Sequence, residues 1–283
     1  MSRLWLAAAA LLAMIAGPAF AADMPLKAPP MVAPTLGWSG WYVGAEFGAQ
    51  RSKSDWTPTC IQFGGPFTCA NPLNALIFFP GAPDSAASFS GTTGRYGIYY
   101  GWMYQANDRW VFGAESDYAF HHQTGSVPFI VGCATAACTG GAFGAGPFTG
   151  DSSTLRIGND YSFRLRAGFL VIPDLQLYVA GGPAVERVQA TMTCSVTGAA
   201  GCFPTTTQTA TKNMVGYTVG AGLEWKVWEH ILLRGEYRYA DYGTWKQNAF
   251  VGTGIGIEEF ANIHVKSNTV TFGIAYLFPP PRW

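Results

Sequence analysis

The stretch VGYTVGAGLEWKV, residues 215–227, alternates large apolar residues with small ones at a period of two. Its large residues share one face: Val215, Tyr217, Val219, Leu223 and Trp225. A period of two is typical of a β-strand, whose successive side chains point to opposite faces. A half-buried strand of a soluble protein turns varied polar residues to water, whereas half of the second face here is glycine. The stretch therefore predicts apolar surroundings on one side and a confined space on the other.

The same alternation occurs in seven other segments, so the sequence predicts eight strands. These segments are residues 39–49, 95–104, 110–120, 161–170, 175–186, 231–240 and 269–278, with a candidate β-bulge at Gly181-Gly182-Pro183. Short turns near 106–108, 173–174 and 229–230 alternate with long Gly/Thr/Pro-rich connections near 51–92, 121–158, 188–213 and 243–264. This pattern is typical of an outer-membrane β-barrel. We expect an all-β fold over residues 39–278: an eight-stranded antiparallel up-and-down transmembrane β-barrel with long extracellular loops.

The N-terminus has the three parts of a secretory signal peptide, predicted to span residues 1–21. Arg3 supplies a positive charge, residues 4–16 an apolar run, and Ala19-Phe20-Ala21 an A-x-A cleavage site. An N-terminal anchor helix is the alternative. Residues 22–38 predict a Pro-rich periplasmic arm, and residues 279–283 a short C-terminal tail. Mean hydropathy is +0.13, yet no later stretch has the roughly 20 apolar residues that a transmembrane helix requires.

Cysteine spacing and net charge limit the cofactors and partners. The six cysteines form three close pairs: Cys60/Cys69, Cys133/Cys138 and Cys194/Cys202. An exported protein meets an oxidising compartment, so local spacing favours these three disulfides among about 15 possible connectivities. No C-x-x-C motif is present, and we expect neither a metal nor a cofactor. The net charge of zero gives no electrostatic support for a nucleic-acid partner.

Charged residues in the predicted strands concentrate on the small-residue face. The cations there are Arg95, Arg164, Arg166, Lys226, Arg234 and Arg238, and the acids are Glu46, Glu115, Asp117, Glu186, Glu224 and Glu236. Side chains just fill the interior of an eight-stranded barrel, so these charges should pair and plug the lumen. Arg187, Asp241 and Lys266 face outward near the rim, where charge costs little. A soluble β-sandwich, the alternative fold, would need a large apolar core face on two sheets.

Three segments carry a family resemblance: AADMPLKAPP after the signal peptide, WSGWYVGAEFGA in the first strand and SNTVTFGIAYLF in the last. They resemble the Omp25/Omp31-like porin family of small alphaproteobacterial outer-membrane β-barrels, over about residues 22–278. The resemblance implies an outer-membrane location, contact with lipid and lipopolysaccharide, and a signal for the barrel-assembly machinery. That signal corresponds to Thr271, Gly273, Tyr276 and Phe278. The chain continues to Trp283, so either Phe278 or Trp283 is the recognised C-terminal aromatic residue.

Such family members are structural proteins, some with porin-like or haemin-binding activity. We expect a structural protein with surface-exposed loops and a charge-plugged lumen, of undetermined oligomeric state. One alternative is a small porin-like channel, although porins usually have 16–18 strands. The other is loop-mediated binding of haem or of host or phage surfaces, through loop residues such as Phe78-Phe79.

Two sets of polar residues are candidates for chemical sites. His121-His122 could ligate metal or haem, but a solvent-facing pair at the rim is favoured. His264 and Ser267 are three residues apart, which places them on opposite faces of a continuous strand. A serine hydrolase needs its base within hydrogen-bond reach of the nucleophile, so we do not expect an enzyme.

Overall fold

The computed structural model describes residues 37–63, 86–131, 150–197, 202–251, 253 and 257–278. Its strands are β1 Gly40–Phe63, β2 Ala87–Gln105, β3 Trp110–Phe120, β4 Gln123–Val127, β5 Ser152–Ile172, β6 Leu175–Cys194, β7 Thr206–Trp228, β8 Ile231–Ala249 and β9 Ile257–Phe278. Within these ranges, no helix is long and apolar enough to cross a membrane. The predicted signal peptide, most of the arm and the C-terminal tail lie outside the described residues.

All the strands belong to one antiparallel sheet that closes on itself. Their order is β3-β2-β1-β9-β8-β7-β6-β5-β4, and β3 also pairs with β5. β3 and β4 are two parts of one barrel strand, interrupted at His121-His122, because both pair with β5. The predicted eight-stranded up-and-down barrel is therefore confirmed.

An apolar belt surrounds the outside of the barrel. On β7, the large residues from Val215 to Trp225 each leave between 49% and 69% of their surface exposed. The belt continues around the barrel, for example with Phe47 on β1 and Phe272 on β9, whose ring centroids lie 6.2 Å apart. A continuous apolar band of this kind is the lipid-facing surface of a transmembrane barrel.

At the end that carries the long connections, which is the extracellular end of such barrels, the strands are longer than predicted. β1 continues to Phe63, β2 starts at Ala87 and β9 starts at Ile257, so much of what was predicted as loop is strand. Side chains still alternate between the two faces there, but polar residues now lie on the outer face and apolar residues on the inner face. On β1, Trp41 and Phe47 face outward in the belt, whereas higher up Lys53 faces outward and Trp56 is buried inside.

Beyond the belt, the barrel divides into two sheets. β2 and β3 stay paired only as far as Tyr96 opposite Phe120, and β7 and β8 only as far as Tyr217 opposite Asp241. The other ladders continue, which leaves the sheets β2-β1-β9-β8 and β4-β5-β6-β7. Apolar side chains from both sheets pack in one cluster, including Trp56, Phe89, Leu155, Met192, Trp245 and Ile263. We call this part, with its apolar core, the extracellular sandwich.

The register shifts of the sheet lie elsewhere than predicted. The prediction of a β-bulge at Gly181-Gly182-Pro183 is wrong, because β6 pairs with β7 without any register shift. The register shifts instead on β5 between Ile157 and Asp160. It also shifts on β8 after Asp241, next to Gly243, whose φ is +70°. A positive φ is readily adopted only by glycine, so the chain bends there as β8 leaves β7.

Candidate functional site: the lumen charge layer

A buried layer of charge crosses the middle of the lumen. Ten of the twelve predicted lumen residues form one connected set of ion pairs, and each is at most 5% exposed. They are Glu46, Arg95, Glu115, Asp117, Arg164, Arg166, Glu224, Arg234, Glu236 and Arg238. We call this set the lumen charge layer.

Glu115 on β3 joins three arginines. Its Oε1 accepts from Arg164 Nη2 at 2.6 Å, and its Oε2 accepts from Arg166 Nη1 at 3.3 Å and from Arg234 Nη1. The Tyr42 hydroxyl also donates to Oε2, at 2.7 Å. A carboxylate can accept about four hydrogen bonds, so this one is fully used.

Asp117 lies two residues further along β3 and therefore on the same inner face. Its Oδ2 accepts from Arg95 Nη2 and from Arg238 Nη1, both at 2.8 Å, and its Oδ1 accepts from Ser162 Oγ. Through Glu115 and Asp117, one strand joins arginines from β2, β5 and β8, which crosslinks the barrel across its interior.

Tyrosine rings fill the space between the arginines and the wall. The Arg234 guanidinium carbon lies 3.6 Å from the centroid of the Tyr99 ring, and that of Arg166 lies 4.1 Å from the centroid of Tyr178. Each ring needs a glycine beside it: a Cβ added at Gly222 would come within 2.7 Å of the Tyr178 ring, and one added at Gly44 would meet the Tyr99 ring. The glycine-rich inner face thus accommodates aromatic rings that bind guanidinium groups by cation–π interaction.

The other two predicted lumen residues lie apart from this layer. Glu186 is fully buried on the extracellular side of the layer, where its Oε1 is 2.8 Å from His121 Nε2. Lys226 is at the periplasmic end, with its Nζ 4.7 Å from the centroid of the Trp38 ring.

Asp160 and His121, on the extracellular side of the layer, were not predicted as lumen residues from the sequence. Asp160 accepts from Arg95 Nη2 at 3.1 Å, and the His121 Nδ1 lies 3.7 Å from Asp160. Asp160 falls just beyond the predicted strand, and the β5 register shift places it on the inner face. An acidic residue one position before the predicted strand 161–170 was the sequence signal that could have identified Asp160 as a lumen residue. With Asp160 and Glu186 included, seven buried carboxylates face the five arginines.

Apolar side chains pack inside the barrel on both sides of the charge layer. The extracellular sandwich lies on one side. On the periplasmic side, a second cluster fills the barrel, comprising Trp38, Tyr42, Tyr99, Met103, Val111, Leu170, Leu232, Ala275 and Leu277. Trp38 is buried at this end and donates from Nε1 to Pro173 O at 2.9 Å.

The two histidines of the predicted pair face opposite sides. His121 is buried in the lumen, so the expected solvent-facing position is wrong for it, whereas His122 is exposed. His264 and Ser267 also lie on opposite faces: His264 Nε2 is 2.9 Å from Asp241 Oδ1, and Ser267 is buried. In the described part of the chain, no group of three or more His, Cys, Asp and Glu side chains could hold a metal ion.

One of the predicted disulfides lies in the described part of the chain. Cys194 and Cys202 are bridged, with 5.7 Å between their Cα atoms, and they connect the end of β6 to the segment that precedes β7. Cys69, Cys133, Cys138 and the side chain of Cys60 lie outside the described residues.

The predicted assembly signal is on β9. Tyr276 and Phe278 are exposed on its outer face with ring centroids 4.8 Å apart, whereas Thr271 and Gly273 face the lumen.

Residues 7–278 match a family model described as "Outer membrane protein beta-barrel domain". The chain is 27% identical over 274 residues to a 31 kDa outer-membrane immunogenic protein of Brucella melitensis, which covers 95% of this chain and 98% of the relative. It is 25% identical over 243 residues to a 25 kDa outer-membrane immunogenic protein of Brucella ovis, covering 84% and 89%. Among solved structures, the outer membrane protein OprG of Pseudomonas aeruginosa aligns with a TM-score of 0.48 and 12% identity, over 87% of this chain and 99% of that one.

Proposed function

The chain belongs to the outer membrane protein β-barrel domain family and resides in the outer membrane, and on this premise we propose that it is a structural protein with a lumen closed to solutes. The observation that carries this proposal is the succession of three filled layers along the barrel axis: an apolar cluster, the lumen charge layer and the apolar core of the extracellular sandwich. A permeating solute would have to pass all three.

The charge layer supports closure because its charges are committed to one another. An unpaired charge away from bulk water is costly, so each arginine is held between carboxylates instead of lining an aqueous path. Arg164, for example, donates to both Glu115 and Glu236. A porin-like channel would need a water-filled lumen, which eight strands leave little room to form.

We further propose that the protein is not an enzyme. The separation of His264 from Ser267 supports this, since a nucleophile and its base must lie within hydrogen-bond reach of each other. His121, the histidine inside the barrel, is bonded to Glu186 beneath the apolar core of the extracellular sandwich.

Conductance across planar bilayers tests the closed lumen. The protein would be refolded, checked for the heat-dependent electrophoretic mobility of a folded barrel, and inserted beside a 16-stranded porin as positive control. We expect no steady current above the bilayer background, and no swelling of proteoliposomes in uncharged sugars. A steady, ion-selective current from the folded protein would overturn the proposal and favour the porin-like alternative.

A further inference from the structure

The zero net charge of the chain conceals a separation of charge between the two ends of the barrel. The outward-facing cations above the belt are Arg51, Lys53, Arg156, Arg187, Lys246 and Lys266, and the acids exposed at least in part there are Asp55, Asp241 and Glu258. The periplasmic turns instead carry Asp108, Arg109, Asp174 and Glu229. Among the described residues, the outer surface is therefore cationic on the extracellular side and acidic on the periplasmic side.

Three of these cations form a patch across β1 and β9, which we call the rim patch. Lys53 and Lys266 stand directly opposite each other in the ladder, and Arg51 is two residues from Lys53 on the same face of β1. Two residues of a strand span about 6.6 Å, so all three side chains can reach one ligand. Like charges directly opposite each other destabilise a sheet. An anion bound between the two lysines would offset their repulsion.

The acids near the rim patch only partly neutralise it. Lys53 Nζ is 3.5 Å from Asp55 Oδ2 and Lys266 Nζ is 3.6 Å from Asp241 Oδ2, but the side chains of the two lysines remain 60% and 45% exposed. Within the described residues, Arg51 has no ion pair. A guanidinium and two ammonium groups thus remain available to an external anion.

The rim patch continues directly from the lipid-facing belt. Below Arg51 on the outer face of β1 come Ala49 and Phe47, and on β9 the belt begins with Val270, four residues from Lys266. A molecule that contacts both surfaces must carry anionic groups immediately above acyl chains. We propose that the rim patch binds the phosphate groups of the outer-leaflet glycolipid, lipopolysaccharide, with its acyl chains lying along the belt.

Charge and position together favour this lipid over a free phosphate. Arginine and lysine are the side chains that bind phosphate, the former through its planar fork. The patch is exposed and has no buried cradle, so a small soluble anion would be strongly screened by salt. A lipid gains additional contact with the belt and is held at the height of the patch by the bilayer itself.

The test is a titration of the folded protein in zwitterionic detergent with fluorescent diphosphoryl lipid A, followed by anisotropy. The parallel titrants are dephosphorylated lipid A and inorganic pyrophosphate. The test variant combines Arg51→Gln, Lys53→Gln and Lys266→Gln. The control variant, Arg109→Gln/Lys212→Gln/Lys246→Gln, removes three exposed cations away from the patch, which lie in the turn between β2 and β3, on the inner-face side of β7 and on β8. Folding of each variant is checked by heat-dependent mobility.

We expect the test variant to bind diphosphoryl lipid A roughly 100-fold more weakly than wild type, since each cation near a lipid surface contributes about fivefold. The control variant should bind within about threefold of wild type. If the triple variant does not fold, Arg51→Gln alone should weaken binding about fivefold. Equal affinity of test variant and wild type, or equally tight binding of dephosphorylated lipid A, would overturn the proposal. Equally tight binding of pyrophosphate would show a free-anion site instead. None of these outcomes bears on whether the lumen conducts.

Discussion

Individual glycines on the inner face of the barrel are matched to individual aromatic rings. A Cβ added at Gly101 would meet the backbone carbonyl oxygen of Ala114 and lie 2.7 Å from Cζ of the Tyr42 ring, and Tyr42 in turn donates to Glu115. The tyrosine cannot withdraw without breaking that hydrogen bond, nor advance without displacing an arginine. Small residues are therefore required at these positions by packing, whereas a glycine in open space has no such role.

Gly101→Ala should destabilise the folded barrel by about 1–3 kcal/mol, the usual cost of overpacking. The control is Gly94→Ala on the same strand, where an added Cβ would meet nothing within 4 Å. Urea titrations of the protein in detergent, monitored by tryptophan fluorescence, would compare the two. Equal unfolding midpoints for both variants would contradict tight packing at Gly101, because the Tyr42 ring and the Ala114 carbonyl would both have to shift at no cost.

Buried ion pairs should be far more sensitive to truncation than exposed ones. Arg234→Ala leaves Glu115 and Glu46 with less positive charge in a buried layer, and removing one partner of a buried pair costs about 3–5 kcal/mol. Lys53→Ala, which removes the exposed pair with Asp55, should cost at most about 1 kcal/mol. The same urea titrations measure both changes.

Conductance of Arg234→Ala should stay at background, because the apolar clusters on both sides of the lumen charge layer remain. Similar losses of stability in Arg234→Ala and Lys53→Ala would contradict a desolvated charge layer.

At the scale of elements, the upper part of β9 carries an unusual buried carboxyl group. Glu259 is fully buried in the extracellular sandwich, beside its apolar core. Among the described residues, neither of its oxygens accepts a hydrogen bond. Burial raises the pKa of Glu259 well above its usual range, and the nearby Trp56 side chain offsets only part of this. The Glu259 carboxyl group therefore keeps its proton to a higher pH in the folded protein than in the unfolded chain.

A raised folded-state pKa means that the folded protein binds more protons than the unfolded chain, so stability falls as pH rises above the unfolded value of about 4.3. Glu259→Gln should remove this pH dependence and stabilise the protein at pH 7 and above, by on the order of 1–3 kcal/mol. Glu258→Gln, at the adjacent and partly exposed position, is the control and should have little effect. Urea midpoints at about pH 5, 7 and 8.5 measure the dependence. A wild-type stability that rises over this range would refute the argument.

The sequence predicted the belt segments of the strands far better than their upper parts. In residues 215–227, the large apolar residues keep to one face, with Ala221 as its one small member, so parity alone assigned the lumen face correctly. In QRSKSD, residues 50–55, both faces are polar, so no hydrophobic alternation marks the strand. The exchange of faces above the belt becomes visible only once Trp56 is seen to be buried.

Parity also placed ten charged residues in one layer but could not assign partners among them. Long arginine side chains reach across the lumen, so Arg234 on β8 meets Glu115 on β3, 119 residues away. Asp160 and His121 were missed because each lies at an interruption of a strand, where parity cannot be extrapolated. Pairing and register shifts depend on the closed barrel, not on local sequence.

At the scale of the whole molecule, the two halves of the barrel are built for different solvents. Within the belt, apolar side chains face lipid and polar ones face the lumen; in the extracellular sandwich, apolar side chains form the core and polar ones face water. On the outer face of β7, Val219 lies in the belt, whereas Thr209 lies ten residues higher, opposite Thr191. Both side chains are exposed on the protein surface, but lipid surrounds Val219 whereas water surrounds Thr209.

Val219→Arg should therefore impair folding into lipid bilayers much more than Thr209→Arg. An arginine on the lipid face near mid-membrane costs about 2–4 kcal/mol, whereas one in water above the belt costs little beyond the exposed contact between Thr209 and Thr191. The fraction folded in liposomes, measured from heat-dependent mobility, should fall strongly for the first variant and slightly for the second. In detergent micelles, which adapt their shape to the protein, the difference should narrow. If both variants fold equally in liposomes, the boundary of the belt is misplaced; if Thr209→Arg is the worse, the upper strands lie within the membrane.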